Sequence, residues 1–326
     1  MARRVIGWVR SSASADAQLA IGLPMQQVLV IVLNHNKKDM VLDCIASLTR
    51  QTYSPIHIVV VDNASTDGSR EALQRSYPCL DLLCQDQNLG AIGGRNEGYS
   101  YAKQKGNFDF VLFLDDDAEV AAGSIGLLVE ALNHDALAGL ACGKTYVNFQ
   151  SNTLMSAGIR ERLYLGLCHD RGAGDEDRGQ FDRDEYVDAC GSFAMMIRAA
   201  LFEEIGGFDE AFTPYGWEDV DFCLRARARG QRTRYVPAAT FAHKGTRLGR
   251  GPIPVYERHK ARNFLKLLRR HTTPLQKLTA AVFVPLRGLL LLSRFAIHGD
   301  WRAIPAQLKG VLDYFRSSKR DLDKPR

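Results

Sequence analysis

Short apolar runs alternate with amphipathic stretches along the first part of the chain. The run VLVIVLN at 28–34 is continuous and rich in branched side chains, which is typical of a buried strand. The stretch at 39–51 then spaces its apolar residues as one face of a helix does, namely Met40, Val41, Cys44, Ile45 and Leu48. A strand followed by an amphipathic helix is therefore the first predicted unit.

The same unit repeats twice before a fourth strand. Further buried strands are predicted for IHIVVVD at 56–62, LDLLCQ at 80–85 and FVLFLDDD at 110–117. Helices are predicted for SREALQRSY and for NLGAIGGRNEGYSYAKQKG at 88–106, which begins as a glycine-rich loop. Strands and helices that alternate over short links form a mainly parallel sheet with helices on both faces, so we predict an α/β fold.

The second half of the chain is less regular. The segment 150–185 is charged and glycine-rich, and we predict a mobile surface loop there. An apolar strand and a short helix follow, and then a helix that begins near Glu218 and ends at Gly230. A last strand ends at His243.

The net charge of +5 conceals an acidic body and a basic tail. From Lys244 onward there are 19 Lys and Arg against 5 Asp and Glu, whereas the preceding part carries a net charge of −9. The most apolar part of the tail, at 278–297, is interrupted by Pro285, Arg287 and Arg294, and a spanning helix needs about 20 nearly uncharged residues. We therefore predict a helix lying in an anionic membrane surface, the alternative being a helix packed on the domain. Nucleic acid is not predicted as a partner, because no nucleic-acid-binding motif is found.

These patterns divide the chain into three segments. They are a loose N-terminal extension at 1–27, an α/β domain at 28–250 and a basic amphipathic helical tail at 251–326.

The seven cysteines are scattered and form no C-x-x-C pair, which argues against a disulfide framework or zinc site and favours a reducing compartment. No secretory signal is predicted, because the basic N-terminus lacks a long apolar core, and Met25 is an alternative start.

Polar residues end three of the predicted strands. Asn34 ends the first strand, Asp62 the second, and Asp115 to Asp117 the fourth. In parallel sheets, ligands bind beyond the carboxyl ends of the strands, where residues distant in sequence converge. We therefore expect these residues to form one site.

Three consecutive carboxylates are costly to bury without a compensating partner. The candidate partners are solvent, a basic side chain and a metal ion. Asp115-x-Asp117 suits Mg²⁺ or Mn²⁺, which take carboxylate oxygens and share their remaining ligands with substrate phosphates. A solvated turn is the alternative explanation.

A second acidic group, Glu218, Asp219 and Asp221, follows Gly216 and Trp217. Acidic residues are favoured at a helix N-terminus, which explains one or two of the three. A carboxylate beside a metal–diphosphate site is also a candidate general base for deprotonating a hydroxyl.

The glycine-rich GAIGGRN is not a dinucleotide-binding fingerprint, since that motif follows the first strand and this one follows the third. Its glycines would allow the backbone to approach a ligand closely, with Arg95 near the ligand's phosphates. His243 is either a core histidine or a ligand of metal or phosphate.

Taken in order, these motifs resemble those of the inverting nucleotide-sugar glycosyltransferases of family 2, which have the Rossmann-like GT-A fold. The chain looks most like the bacterial branch that builds cell-surface polysaccharides, rhamnosyltransferases included. The resemblance spans about 28–270 and is carried by VLNHN, VVVDNASTDGS, NLGAIGGRNEGY, FLDDD, GSFAMMIRAALFEEIGGFDEAF, WEDVDFCLRARARG and AHKG.

The resemblance implies a donor site. Asp62 would contact the nucleotide base, and Asn34 and Asn96 would line the donor pocket. Asp115 would lie near the ribose, the diphosphate and the metal, and Asp117 would hold the metal.

The resemblance also implies an acceptor site. Asp219 matches the family's catalytic base, and Glu218 would lie close to the acceptor. His243 matches a histidine that in some relatives joins the metal or diphosphate, although HKGTR lacks the serine expected after it.

The implied reaction is a single displacement that inverts the anomeric carbon, assisted by Mg²⁺ or Mn²⁺. The donor would be a nucleotide sugar and the acceptor a saccharide or lipid-linked saccharide, at the cytoplasmic face of the cell membrane. The resemblance favours dTDP-L-rhamnose as the donor, but UDP-sugar enzymes, including galactofuranosyltransferases, share the motifs.

Two other classes of function are open on the residues alone. A metal-dependent phosphatase or nuclease also uses clustered carboxylates, but it needs a second metal site, which WEDVDF would have to supply. A nucleotide-sugar-binding protein without activity would have no use for a base at Asp219.

Overall fold

The computed structural model describes residues 25–245 and 252–321, with side chains described up to residue 316. The predicted extension at 1–27 therefore lies almost wholly outside the described residues. The first half alternates strands and helices in the predicted order: β1 (Val28–Asn34), α1 (Lys38–Thr49), β2 (Ile56–Asp62), α2 (Ser69–Ser76), β3 (Asp81–Cys84), α3 (Gly90–Lys103), β4 (Phe110–Asp115), β5 (Ala118–Val120) and α4 (Ser124–Asn133).

The second half contains more strands than the sequence analysis predicted. Its elements are β6 (Ala138–Tyr146), β7 (Leu154–Ser156), β8 (Ile159–Arg162), β9 (Leu167–Asp170), β10 (Glu185–Val187), β11 (Ala194–Arg198), α5 (Ala199–Ile205), α6 (Glu218–Ala228), β12 (Arg232–His243), α7 (Pro254–His271), α8 (Pro274–Ile297) and α9 (Ala303–Asp321).

The main sheet has the strand order β10-β12-β6-β11-β4-β1-β2-β3. Strands β4, β1, β2 and β3 are parallel neighbours, whereas β11 enters antiparallel between β4 and β6. The chain runs from β1 out to β3 and then returns to the other side of β1 as β4. The sheet therefore has its topological switch point between β1 and β4, which is where α/β proteins bind ligands.

The sheet is covered on both faces, which is why its central strands are continuous apolar runs. Alternate residues of β1 face opposite sides: Leu29 and Ile31 pack into one buried cluster, and Val30 and Val32 into the other. The predicted α/β architecture with helices on both faces is confirmed, although the sheet is mixed: the half formed by β4, β1, β2 and β3 is parallel, and β11 is antiparallel to both of its neighbours.

Two glycines of α3, Gly94 and Gly98, allow the helix to pack closely on the sheet. A Cβ at Gly94 would lie 2.4 Å from Leu33 Cδ1, and one at Gly98 would lie 2.6 Å from Val61 Cγ2. These glycines therefore let α3 lie close against β1 and β2.

The segment 150–185 was predicted as a loop, but part of it forms strands. β8 and β9 pair as an antiparallel hairpin, and β7 pairs with β6. The rest is irregular and tied to the sheet by Lys144, which forms ion pairs with Asp177 and Asp182. These strands are three or four residues long and partly exposed, so their sequences lack a continuous apolar run.

Helix α7 is packed into the α/β body, although the sequence placed it in the tail. The buried Asn263 donates hydrogen bonds to the carbonyls of Phe212 at 2.5 Å and Tyr215 at 2.9 Å. At the C-terminal end of α7, Arg270 and His271 both contact the buried carboxylate of Asp221. The body therefore extends through about residue 271.

Helix α8 is largely exposed. It starts with a capping box between Thr273 and Gln276, followed by Pro274 in the first turn. Within the part of the chain that the structure describes, it is the one helix long and apolar enough to cross a membrane by length and composition alone.

Candidate active site

The carboxyl ends of β1, β2 and β4 meet at the switch point of the sheet. Asn34 pairs with Asp62 across β1 and β2, and Leu33 pairs with Asp115 across β1 and β4. The predicted convergence of polar residues that end separate strands is therefore present in the structure.

Asn34 and Asp62 form a fully buried pair. Asn34 Nδ2 donates to Asp62 Oδ1 at 2.8 Å, and Arg70 Nε donates to Asp62 Oδ2 at 2.5 Å. Burial alone would raise the pKa of Asp62, but hydrogen bonds from Ser65 and Arg70 outweigh it and lower the pKa. Asn34 Oδ1 is buried without a hydrogen-bond partner among the described residues, so this pair offers a fixed acceptor atom.

The three carboxylates after β4 have separate partners. Asp115 Oδ1 accepts a hydrogen bond from Arg95 Nη2 at 2.6 Å. Asp116 accepts one from the backbone N–H of His35 at 3.0 Å and one from Lys37 Nζ at 2.9 Å, and Lys37 also pairs with Asp117. Basic side chains thus offset much of the repulsion within the cluster, with Lys37 as a partner that the sequence analysis missed.

Asp115, Asp117 and His243 form a group that fits a divalent cation. One ligand atom from each lies within 4.8 Å of the others. Asp117 Oδ1 is buried without a hydrogen bond, and it lies 3.1 Å from His243 Nε2. Burial lowers the pKa of His243, but its hydrogen bond to Asp115 and the charge of Asp117 outweigh burial and raise the pKa. Two carboxylates and an imidazole are ligands suited to a metal such as Mn²⁺.

The backbone after β12 closes over this group. Lys244 N–H donates to the carbonyl of Asp117 at 2.9 Å. A Cβ at Gly245 would lie 1.8 Å from Asp117 Oδ2, so only glycine fits this close approach. This close contact with Asp117 explains why the AHKG motif ends in glycine.

Arg95 links the cluster after β4 to Glu218 at the start of α6. Its buried guanidinium lies 3.3 Å from Glu218 Oε1 as well as 2.6 Å from Asp115 Oδ1. Arg95 was expected near a ligand's phosphates, and in the structure it lies between the carboxylates of Asp115 and Glu218. Glu218 Oε2 also accepts a hydrogen bond from Gly216 N–H at 2.6 Å.

The carboxyl groups of Glu218 and Asp219 hold protons more tightly than usual. Burial, followed by the charge of Asp219, raises the pKa of Glu218 to about 7. Burial also raises the pKa of Asp219 to about 6, and the charge of Asp170 adds to this rise. Asp219 Oδ1 accepts a hydrogen bond from Val220 N–H at 2.7 Å. Such a carboxylate is a suitable base near neutral pH.

Asp170, at the end of β9, was missed by the sequence analysis. Its pKa is raised by burial, and its Oδ1 atom is buried without a hydrogen-bond partner among the described residues. It lies in the segment predicted to be a loop, and no local pattern distinguishes it from the acidic residues that follow it.

Two polar residues near the site serve to hold the fold. The Asn96 amide exchanges two hydrogen bonds with the backbone of Phe208, at 2.9 and 3.0 Å, although the resemblance implied that it lines the donor pocket. Asp221 is fully buried and accepts hydrogen bonds from Arg225 at 2.7 Å and from Arg270 and His271 at 2.8 Å each. Each atom of the Asn96 amide thus makes one hydrogen bond within the fold, and Asp221 anchors α7.

A sheet of this order, with acidic residues at its switch point and at the start of α6, defines the GT-A class of α/β enzymes. The chain belongs to glycosyl transferase family 2, whose model matches residues 29–205, and it is a glycosyltransferase. A second model, described as the N-terminal domain of galactosyltransferase, matches residues 180–246.

The chain is similar to two transferases of Mycobacterium tuberculosis. It is 28% identical to N-acetylglucosaminyl-diphospho-decaprenol L-rhamnosyltransferase over 246 residues, which cover 70% of this chain and 80% of that protein. It is 25% identical to galactofuranosyltransferase GlfT2 over 263 residues, which cover 73% of this chain and 39% of that protein. The resemblance to family 2 and its rhamnosyltransferase branch is confirmed.

Solved structures share the fold. Mannosyltransferase PcManGT from Pyrobaculum calidifontis, in complex with GDP-Man and Mn²⁺, has a TM-score of 0.55 and 17% identity, with 92% of each chain covered. GalNAc-T7, with UDP, GalNAc and Mn²⁺, has a TM-score of 0.57 and 16% identity, with 75% of this chain and 48% of that protein covered. The predicted GT-A fold is confirmed.

Proposed function

We propose that this glycosyltransferase moves a sugar from a nucleoside-diphosphate donor to a hydroxyl of a lipid-linked saccharide, with inversion at the anomeric carbon. The observation that carries the proposal is the placement of two acidic groups, Asp115 with Asp117 and Glu218 with Asp219, on either side of Arg95. One group suits a diphosphate with its metal, and the other suits an acceptor hydroxyl.

The donor would lie over the carboxyl ends of β1 and β4. Asn34 and Asp62 would lie beneath the nucleotide base, because their hydrogen-bonded amide and carboxylate form a fixed polar pair at the ends of β1 and β2. Asp115, Asp117 and His243 would hold Mg²⁺ or Mn²⁺, and such an ion supplies Lewis-acid stabilisation of a diphosphate leaving group. Lys37 keeps Asp116 and Asp117 close together by pairing with both.

Asp219 would act as the general base. The acceptor oxygen attacks the anomeric carbon, the bond from that carbon to the diphosphate oxygen breaks, and Asp219 takes the hydroxyl proton. Glu218 would lie near the acceptor, with its charge partly balanced by Arg95. A single displacement of this kind inverts the configuration at the anomeric carbon.

The relatives' names support a lipid-linked acceptor and L-rhamnose as the sugar, because one relative is a diphospho-decaprenol rhamnosyltransferase. The match to a galactosyltransferase domain and the likeness to a galactofuranosyltransferase favour a second candidate, in which the donor is a UDP-sugar. A two-metal hydrolase is less well supported, because one metal-type cluster is found within residues 25–245 and 252–321.

We also propose that the enzyme is cytoplasmic and binds the inner face of the membrane peripherally. The large apolar side chains exposed on α8 and α9, among them Leu278, Leu286 and Phe315, together with the basic tail, support this location.

A donor screen with product analysis tests the proposal. The intact protein should be stabilised against heat by dTDP or UDP in the presence of Mn²⁺, and less by GDP or CMP. With the matching nucleotide sugar, the product sugar should have the anomeric configuration opposite to that of the donor by NMR. Retention of configuration, or release of free sugar without transfer, would contradict the proposal.

Transfer should also fall at acid pH with a midpoint near 6. Asp219 must be ionised to accept a proton, and its pKa is raised to about 6, so the active fraction is lost as the pH falls through that value. Asp170→Asn should move the midpoint to lower pH, because it removes a neighbouring negative charge. The measurement is kcat/KM across pH at saturating Mn²⁺, with the exposed Glu130→Gln as control. A midpoint that stays in place or rises in Asp170→Asn would refute this assignment.

A further inference from the structure

A cavity of about 530 Å³ lies between α7, α8, α9 and the β8–β9 hairpin. Its walls are mainly apolar and include Phe264 and Leu265 of α7, Val284 and Leu291 of α8, and Val311 and Phe315 of α9. Its volume falls in the range of pockets that enclose organic ligands.

The cavity shares a wall with the proposed acceptor site. Trp217 lines it and directly precedes Glu218 and Asp219, and its indole N–H donates to the carbonyl of Lys260 at 3.0 Å. Cys168 also lines the cavity, two residues before Asp170 on β9. A ligand in the cavity would therefore extend towards the carboxylate of Asp219.

Two cationic side chains line the same cavity. Lys260 and Arg287 form no ion pair with any residue whose side chain the structure describes, and Lys260 is close enough to Asp170 to oppose the effect of burial on its pKa. The carboxylate in the lining, Glu257, accepts a hydrogen bond from Gln307 at 2.7 Å. The cavity thus combines apolar walls with two cations available to an anionic group.

The outer surface of α8 continues the apolar character of the cavity. Its exposed side chains include Leu278, Val282, Phe283, Leu289 and Leu290. An apolar chain embedded in a membrane surface would therefore meet apolar side chains on the exposed face of α8 and also on the face that lines the cavity.

We propose that this cavity binds the isoprenoid chain of the acceptor next to its diphosphate, with Lys260 and Arg287 contacting the phosphates. This inference rests on the proposed function and adds the place where the lipid lies. The saccharide that follows the diphosphate would then pass Trp217 and present its hydroxyl to Asp219. An isoprenoid diphosphate fits because it joins an apolar chain, which suits the apolar walls, to a compact negative group, which suits Lys260 and Arg287.

Gly288→Phe tests the cavity. Gly288 lines it, and a Cβ there would meet no atom within 4 Å, so the new ring enters open space without backbone strain. Binding of farnesyl diphosphate to the intact protein, measured by calorimetry, should weaken about tenfold or more, since the ring excludes several methylene groups. The control is Ala281→Phe, an exposed position on the same helix outside the lining. Equal affinities in Gly288→Phe and the unmodified protein would overturn the inference.

A second pair of variants tests the cations. Lys260→Gln combined with Arg287→Gln should weaken binding of farnesyl diphosphate about tenfold while leaving that of farnesol nearly unchanged. Lys277→Gln, on the exposed start of α8, is the matched control. Farnesyl diphosphate binding should persist in Asp117→Ala, and loss there would place the ligand in the donor site and overturn the inference.

These binding experiments do not depend on turnover. Farnesyl diphosphate binding that is sensitive to Gly288→Phe, in a protein that transfers no sugar, would refute the proposed function and retain an isoprenoid site. Transfer to a lipid-linked acceptor at an unchanged rate in Gly288→Phe would support the proposed function and refute the isoprenoid site in this cavity.

Discussion

Asp219→Asn should lower kcat for sugar transfer by about 10²–10⁴-fold, which is the usual contribution of a general base. The amide cannot accept the hydroxyl proton, but it retains an oxygen for the hydrogen bond from Val220 N–H at 2.7 Å, so the fold should be unaffected. The measurement is kcat at saturating donor, acceptor and Mn²⁺, with thermal unfolding recorded for the same samples.

Asp221→Asn, two positions along α6, is the matched control. Asp221 is buried against Arg225, Arg270 and His271, whose side chains are partly solvent-exposed, so its loss should cost about 1–3 kcal/mol of unfolding free energy. The kcat of the folded fraction should remain near that of the unmodified enzyme. A loss of rate in Asp221→Asn as large as in Asp219→Asn would contradict the assignment of the base.

Asp117→Ala should weaken Mn²⁺ binding by about 100-fold or more, exceeding the effect usual for residues that only support metal ligands. Asp117 is one of the three possible ligands in its group, and its Oδ1 is buried beside His243 with no hydrogen bond, so its removal leaves two of the three. Calorimetric titration of Mn²⁺ in the presence of the nucleoside diphosphate measures the loss.

The adjacent Asp116→Asn is the control for this effect. Asp116 is bonded to His35 N–H and Lys37 and does not belong to the group of possible metal ligands. Its replacement should weaken Mn²⁺ binding less than about tenfold, the lower end of the effect of outer partners. If Asp116→Asn and Asp117→Ala weakened the metal equally, the ligand assignment would be wrong.

The part of the site at the strand ends was predictable because it follows from local pattern and topology. Buried apolar runs locate β1, β2 and β4, and parallel strands bring their carboxyl ends together, so Asn34, Asp62 and Asp115 had to lie near one another. The start of α6 at Glu218 was likewise recognisable from its acidic first turn and the glycine after its end.

The remaining features depend on contacts between distant segments, which no local pattern specifies. Lys37 meets Asp117 across 80 residues, and Arg95 meets Glu218 across 123. Asp170 lies on a strand of four residues with a partly exposed surface, so its sequence was indistinguishable from a charged loop. Gly94 and Gly98 of α3 pack against Leu33 and Val61. Because both contacts join distant segments, the sequence alone did not indicate this packing role.

The position of Arg95 between Asp115 and Glu218 has an evolutionary consequence. Neutralising either acid would leave a buried guanidinium with half of its compensation, so a change at one end should be tolerated only alongside a change at the other or at Arg95 itself. Substitutions at these three positions should therefore be epistatic. Lineages that acquire new sugars should therefore retain these three residues or change them together.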